Sequence, residues 1–190
     1  KTRQPLMSPF TLNINGRLVE YDRPAVMGII NATPDSFYPG SRTADSRAVA
    51  ERARMMLSQG ADMLDLGAYS SRPGAADVSA ADEGDRLHMA LDAIRSVSAD
   101  VPVSVDTFRA DVAEKAVTEW GADIINDISG GTLDPDMFET VARLHVPYIL
   151  MHMRGTPADM QQHCSYADVT ADVAADLSAK LHRLSVLGVN

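Results

Sequence analysis

Apolar and polar positions alternate along this chain on two scales. Segments of six or seven residues are almost continuously apolar, which is typical of parallel strands buried on both faces. They predict five strands, over 25–31, 62–67, 101–107, 123–128 and 147–152. Longer segments of helical period separate them, so the sequence predicts an α/β fold in which helices alternate with the strands of a parallel sheet.

Chemical signals mark the ends of the predicted helices. The first covers 45–59, and the second begins at Ser79, which has a capping-box spacing to Asp82. The third ends at Gly121. Its predicted inner face is formed by Val112, Ala113, Ala116, Val117 and Trp120.

The ends of the last two predicted helices carry similar signals. Asp134 is predicted to cap the fourth helix, with Pro135 at the first helical position, where a missing N–H costs nothing. The fifth helix is predicted to begin at Ser165 and Asp168 and to end at Gly188. Its apolar spacing predicts a buried stripe formed by Val169, Val173, Leu177, Leu181, Leu184 and Leu187.

A hairpin and a weak repeat complete the pattern. Residues 10–21 alternate around Asn15-Gly16, a strong hairpin signal, and we expect this hairpin to cover the bottom of the sheet. Proline introduces the odd strands, whereas Gly-Ala-Asp precedes the second and fourth at 60–62 and 121–123. Gly-Val-Asn at 188–190 resembles the even type and predicts a sixth strand.

A series of more than five such units predicts a (β/α)8 TIM barrel, which typically needs about 250 residues. We therefore expect residues 1–190 to form a single barrel domain that shows the hairpin and about the first five βα units, with strands six to eight absent. The alternative is a complete doubly wound sheet of five strands, which a length of 190 residues permits. The sixth-strand signal favours the barrel.

Composition excludes two classes of partner. The chain has 17 Lys and Arg against 26 Asp and Glu, a formal net charge of −9, so it lacks the basic surface that binds nucleic acid. No apolar run approaches the roughly 18 residues of a spanning helix, so no membrane partner is expected. Cys164 is the one cysteine, which excludes an internal disulfide and favours a reducing, cytoplasmic location.

Polar residues follow the predicted strands at the points where the strands end. They are Asn31, Asp65, Asp106, Asn126 with Asp127, and His152. Each alone is typical of a turn or a helix cap, but the carboxyl ends of parallel strands share one edge, where ligands bind. Together they predict a binding site. His152 has no neighbouring His or Cys at metal-ligand spacing, so we interpret it as a packing residue.

Two long loops are predicted on the same edge, over 32–44 and 68–80. Both exceed the usual βα connection of about 2–6 residues. Residues 70–74, Ser-Ser-Arg-Pro-Gly, supply hydroxyls, a guanidinium and backbone N–H groups, which suit an oxyanion or a phosphate.

At these loops the sequence resembles the dihydropteroate synthase family. Residues 27–37, Met-Gly-Ile-Ile-Asn-Ala-Thr-Pro-Asp-Ser-Phe, closely match its first signature. Residues 65–74, Asp-Leu-Gly-Ala-Tyr-Ser-Ser-Arg-Pro-Gly, match its second. Residues 104–107, 124–128 and 151–157 fall where its third, fourth and fifth strands end.

Two departures accompany the resemblance. Where the family usually has Gly-Glu-Ser-Thr-Arg, this chain has Ala-Tyr-Ser-Ser-Arg at 68–72, which keeps a hydroxyl at Ser71 and loses a carboxylate. The family's sixth-strand aspartate, seventh-strand lysine, and eighth-strand arginine and histidine have no counterpart in the sequence.

The resemblance implies a transferase of folate biosynthesis. Such an enzyme condenses 6-hydroxymethyl-7,8-dihydropterin pyrophosphate with 4-aminobenzoate to give 7,8-dihydropteroate and pyrophosphate. It also implies Mg²⁺ as the cofactor, small-molecule substrates as the partners and a homodimer as the assembly.

The same resemblance implies the residues of the site. Asp106 and Asn126 match the family's pterin contacts, and Asn31 matches the residue that orients pyrophosphate and Mg²⁺. The implied catalytic residues are Asn31, Arg72 and Asp106. The implied substrate-binding residues are Thr33, Pro34, Asp35, Phe37, Ser71, Arg72, Pro73, Asp106, Asn126 and Met151.

Two other functions stay open. A related pterin-binding barrel transfers a methyl group from methyltetrahydrofolate to a corrinoid protein and shares the pterin-reading aspartate and asparagine. A non-catalytic pterin-binding homologue would also lack the late-strand cations. The loop at 70–74 favours the synthase, because it suits pyrophosphate and would be idle in methyl transfer.

Overall fold

An antiparallel hairpin precedes a parallel sheet in the computed structural model, which describes residues 9–32, 42–69 and 78–189. The hairpin consists of β1 (Phe10–Ile14) and β2 (Arg17–Tyr21). The sheet consists of β3 (Met27–Asn31), β4 (Met63–Gly67), β5 (Val103–Asp106), β6 (Ile124–Asp127) and β7 (Tyr148–Leu150). The predicted strands are thus confirmed, each one to three residues shorter at its ends.

Helices follow the strands of the sheet. They are α1 (Arg42–Ser58), α2 (Ala80–Val97), α3 (Ala110–Thr118), α4 (Met137–Leu144) and α5 (Val169–Val186), with a short 3-10 helix (Met160–Gln162) ahead of α5. Ser79 caps α2 as predicted, because its hydroxyl oxygen accepts a 3.1 Å hydrogen bond from the backbone N–H of Asp82.

The strand order decides between the two predicted topologies. The sheet runs β3-β4-β5-β6-β7, so each strand pairs in parallel with the next one in the chain. A doubly wound sheet reverses its strand order at a switch point, and these five strands contain no reversal. The sheet therefore progresses as a barrel wall does, with helices on one face.

The main core lies between the sheet and the helices. Leu64, Leu66, Val103 and Val105 alternate along the inner strands and are fully buried. The helices bury Val49, Leu87, Leu91, Ile94, Ala113 and Val141 against them. The outer strands are more open, since Ile29 of β3 is 58% exposed and Ile149 of β7 is 36% exposed.

The hairpin covers the amino-terminal end of the sheet, as predicted. Its turn places Asn15 (φ 50°) and Gly16 (φ 77°) in the left-handed region, which Asn-Gly adopts readily. Ile14 and Tyr21 pack in a second apolar cluster with two strand residues, Met63 and Ile124.

The Gly-Ala-Asp repeat has a physical meaning. The carboxylate of Asp62 accepts a 2.8 Å hydrogen bond from the N–H of Val26, and that of Asp123 accepts one of 2.7 Å from the N–H of Val103. Each repeated aspartate thus ties the start of an even strand to the start of the preceding odd strand. Each also pairs with an arginine, Arg23 or Arg95.

Asp134 contradicts the predicted start of the fourth helix. That helix begins at Met137 with Asp136 at its cap, and Asp136 makes no side-chain cap bond. The Asp134 carboxylate instead accepts hydrogen bonds from the N–H groups of Ala110 (2.8 Å) and Asp136 (3.0 Å). Its two oxygens therefore satisfy one N–H in the first turn of α3 and one N–H just ahead of α4.

The predicted buried stripe on α5 is wrong for most of its length. Leu184 is buried, whereas Val169 and Leu181 are more than half exposed. Val173, Leu177 and Leu187 are half-buried. The reason is that α5 makes only limited contact with the other described elements. Its clearest contacts are polar, such as the 3.0 Å ion pair between Arg154 and Asp172.

We expect Asp123→Ala to destabilise the fold more than Asp62→Ala. Asp123 is 4% exposed and also accepts hydrogen bonds from Asn15 and Arg95, whereas Asp62 is 20% exposed. Charge-assisted bonds of this kind contribute about 1.5–3 kcal/mol, so Asp123→Ala should lower the free energy of unfolding by at least that amount. Urea denaturation measures both variants, and equal losses would contradict the expectation.

Candidate functional site

Polar side chains line the carboxyl-terminal rim of the sheet in one row. Asn31 pairs with Gly67, Gly67 with Asp106, and Asp106 with Asn126, so four adjacent strands contribute neighbouring positions. Paired positions in a sheet direct their side chains to the same face. The structure therefore brings together three residues that the sequence predicted for the site.

Gly67 leaves a space between two of these side chains. A Cβ atom added at Gly67 would lie 3.5 Å from Oδ1 of Asn31 and 3.6 Å from Oδ2 of Asp106. Any side chain at position 67 would fill this space. Because Gly67 has no side chain, the amide oxygen of Asn31 and a carboxylate oxygen of Asp106 are open to one small ligand.

Asp106 carries an unusual charge environment. Burial, with a smaller contribution from the negative charges of Asp65, Glu83 and Asp127, raises the pKa of its carboxyl group from 3.8 to about 7. The rim therefore holds a carboxyl group that exchanges its proton near neutral pH.

Asp65 lies deeper on the same face. It is 6% exposed, and both of its carboxylate oxygens lie 3.3 Å from Nδ2 of Asn126. Burial raises the pKa of Asp65, while the Ser104 hydroxyl and the Asn126 amide lower it. Asp65 is thus in contact with a candidate pterin-binding residue.

Asp127 follows Asn126 but has a structural role. Its carboxylate accepts hydrogen bonds from the N–H groups of Ser129 (2.7 Å) and Gly131 (2.8 Å) and from the hydroxyl of Tyr148 (2.6 Å). These bonds hold the turn after β6 against β7.

Met151 and His152 lie just beyond β7. Met151 is half-buried, and its carbonyl oxygen lies so close to Gly130 that no side chain would fit there. Nδ1 of His152 lies 2.6 Å from Asp176, and its Nε2 lies 3.1 Å from the Tyr166 hydroxyl. His152 therefore links β7 to α5, in line with its predicted packing role.

Several predicted site residues fall outside the described residues. They are Thr33, Pro34, Asp35 and Phe37 of the first loop, and Ser71, Arg72 and Pro73 of the second. Their assigned roles stay predictions.

Comparison with known proteins identifies the family. The family model described as "Pterin binding enzyme" matches residues 27–190. The chain belongs to the pterin binding enzymes.

The relatives of this family member include dihydropteroate synthases. The Synechocystis enzyme is 40% identical over 167 residues, which cover 88% of this chain and 57% of the relative. The mitochondrial folate synthesis bifunctional protein of Arabidopsis thaliana is 45% identical over 168 residues, which cover 86% of this chain and 30% of the relative. The chain thus spans between 30% and 57% of the length of these relatives.

A solved structure supports the fold of this pterin binding enzyme. Xanthomonas albilineans dihydropteroate synthase with 4-aminobenzoic acid superposes with a TM-score of 0.83 and 36% identity, over 96% of this chain and 64% of that one. The predicted (β/α)8 class is confirmed, and the five parallel strands with their helices form part of such a barrel. In the described ranges, no helix is long and apolar enough to cross a membrane.

A cluster that sequence reasoning missed lies beside the site. Glu83 of α2 is fully buried and forms an ion pair with Arg109, whose Nη2 also donates a 2.8 Å hydrogen bond to the carbonyl of Val78. The Arg109 guanidinium lies over the rings of Tyr69 (5.5 Å) and Phe108 (4.9 Å). The sequence signal for this cluster was the place of Glu83 on the apolar face of the predicted second helix. A carboxylate on a buried helix face needs a cation beside it.

We expect the stability of the pterin binding enzyme to report the titration of Asp106. Folding favours the neutral form of a group whose pKa is raised, so this contribution is present below pH 4 and is lost as the pH rises through 7. An asparagine at this position cannot ionise, so the variant Asp106→Asn does not lose this stability as the pH rises. Between pH 4 and pH 8, the free energy of unfolding of the variant should therefore rise relative to that of the wild type by up to about 4 kcal/mol.

Denaturant unfolding at several pH values measures this difference. The exposed residue Asp100 supplies the matched control, Asp100→Asn, which should follow the wild type throughout. A constant difference between Asp106→Asn and the wild type over this pH range would refute the assignment.

Proposed function

We propose that this chain forms the pterin-binding part of a dihydropteroate synthase. Such an enzyme joins 6-hydroxymethyl-7,8-dihydropterin pyrophosphate to 4-aminobenzoate and releases pyrophosphate. The row of Asn31, Asp106 and Asn126 on one rim carries the proposal. The relatives named dihydropteroate synthase support it, as does the neighbouring structure with 4-aminobenzoic acid.

Pterin recognition follows from the chemistry of Asp106 and Asn126. A pterin presents a planar edge rich in N–H donors, and a buried donor needs an acceptor. Asp106 offers its carboxylate, and Asn126 offers its amide oxygen from the neighbouring strand. The ionised form of Asp106 makes the stronger, charge-assisted bond, so binding improves as Asp106 loses its proton.

Mg²⁺ fits beside Asn31. This ion prefers oxygen ligands and is usually held by few protein groups together with substrate phosphates. The amide oxygen of Asn31 supplies such a ligand at the space beside Gly67. When bound, the ion would neutralise charge on the departing pyrophosphate.

The remaining steps need orientation more than proton transfer. The amine of 4-aminobenzoate is nucleophilic without losing a proton first, so Asn31 and its neighbours have only to hold the pyrophosphate for displacement. The proposal gives Ser71 and Arg72 the phosphate oxygens or the aminobenzoate carboxylate. It assigns the wall of the aminobenzoate pocket to Thr33, Pro34, Asp35, Phe37 and Pro73, and contact with the pterin ring to Met151.

The assembly and the location are also part of the proposal. A homodimer is supported by the family resemblance, and a cytoplasmic location is supported by the single cysteine. Methyl transfer from methyltetrahydrofolate is the rival activity, because it would use the same Asp106 and Asn126. The Ser-Arg-Pro-Gly segment at 71–74 favours pyrophosphate chemistry instead.

We expect the complete gene product to release pyrophosphate from 6-hydroxymethyl-7,8-dihydropterin pyrophosphate. Release should require 4-aminobenzoate, should stop when EDTA removes divalent cations, and should return with Mg²⁺. A coupled pyrophosphate assay measures it, and omission of 4-aminobenzoate is the control. Methyl transfer from methyltetrahydrofolate without pyrophosphate release would contradict the proposal.

We expect Asp106→Ala to weaken binding of pteroic acid. The variant loses a charge-assisted hydrogen bond of about 1.5–3 kcal/mol, which corresponds to roughly 10- to 150-fold in Kd. Calorimetric titration of the purified protein measures it, and Asp100→Ala is the exposed control. An unchanged Kd would remove Asp106 from the site.

A further inference from the structure

The orientation of the Asn126 side chain is a choice between two alternatives. An amide presents an oxygen on one side and an NH₂ group on the other. In this structure the NH₂ group is directed at Asp65, at 3.3 Å from each carboxylate oxygen. Both oxygens of Asp65 accept from this NH₂ group, so Asp65 selects the orientation that leaves the Asn126 oxygen for a ligand.

We propose that Asp65 is a positioning residue that fixes the Asn126 amide and thereby makes the site selective for ligands with N–H donors on the recognised edge. The inference rests on the proposed function, because it names the feature of a pterin that the site selects. The pterin 2-amino group is such a donor.

Burial and register place Asp65 behind the ligand-facing row. It is 6% exposed, whereas Asn126 is half-buried. Asp65 pairs with Ser104, which lies two residues before Asp106 on β5, so Asp65 lies one inward-facing position deeper than Gly67. It therefore acts through Asn126.

The fixed amide makes the row uniform in hydrogen-bonding character. Asp106 and Asn126 are paired neighbours, and both then offer oxygen acceptors on the same face. A ligand that places a carbonyl opposite Asn126 would leave two acceptors facing each other, which is unfavourable in a buried site. Pterin and lumazine differ in this respect, because lumazine carries a carbonyl in place of the 2-amino group.

Three variants separate positioning from simple stabilisation. Asp65→Asn keeps the shape but allows either orientation of the Asn126 amide. The exchange Asp65→Asn with Asn126→Asp restores an acceptor at position 126, held by an amide donor at position 65. Asp123→Asn is the matched control, because Asp123 is equally buried and accepts hydrogen bonds at the opposite end of β6.

The Kd values for pterin and for lumazine give the decisive ratio. Asp65→Asn should weaken pterin binding on the order of 10-fold and leave lumazine binding unchanged or tighter. The exchange variant should regain the preference for pterin, and Asp123→Asn should keep the wild-type ratio while losing stability. A wild-type ratio in Asp65→Asn, an equal weakening for both ligands, or no recovery in the exchange variant would overturn the inference.

A ligand-free measurement keeps this test independent of the proposed activity. The NH₂ resonances of Asn126 in a ¹⁵N NMR spectrum should be shifted by the neighbouring carboxylate, and the shift should be lost in Asp65→Asn but kept in Asp123→Asn. Unaltered resonances would overturn the positioning role. Failure of pyrophosphate release alongside a lost shift would instead count against the synthase proposal and leave the positioning role intact.

Discussion

The register of the parallel sheet is the constraint on which the site depends. Asn31, Gly67, Asp106 and Asn126 come from four strands that are far apart in sequence, and only in-register pairing makes them neighbours. The aspartates of the Gly-Ala-Asp repeat help to set that register from the opposite end, since Asp62 and Asp123 each bond the backbone of the adjacent strand. Fold and site are therefore linked through the strands themselves.

Burial of carboxylates is the second constraint, because each buried charge loses hydration. The buried carboxylates of this structure differ in how that loss is compensated. Asp123 is paired with Arg95, and Glu83 with Arg109, so these charges are compensated. Asp127 is held by hydrogen-bond donors. Burial, together with the negative charges of its neighbours, raises the pKa of Asp106 to about 7. A rim carboxyl group perturbed in this way is a candidate for ligand binding.

The sequence predicted those features that are local or periodic. The strands, the Asn15-Gly16 turn and the Ser79 cap are confirmed because each is specified by residues close together in the chain. The contact of Asp134 with α3 and the Glu83–Arg109 pair were not predicted, because their partners lie 24 and 26 residues away. The exposure of α5 was missed because helical period shows which face is apolar, but cannot show whether any element covers it.

Tyr69 stands where the resembling family usually has a glutamate, and this difference affects the charge of the rim. The resemblance assigns a glutamate to this position, two residues beyond Gly67, which is the strand partner of Asp106. A further carboxylate here would add negative charge to a rim where three already raise the pKa of Asp106. Tyr69 instead contacts Phe108 edge-on at 5.1 Å and lies under the Arg109 guanidinium. An aromatic ring attracts that cation without carrying a charge, so Tyr69 interacts with Arg109 without adding a further negative charge near Asp106.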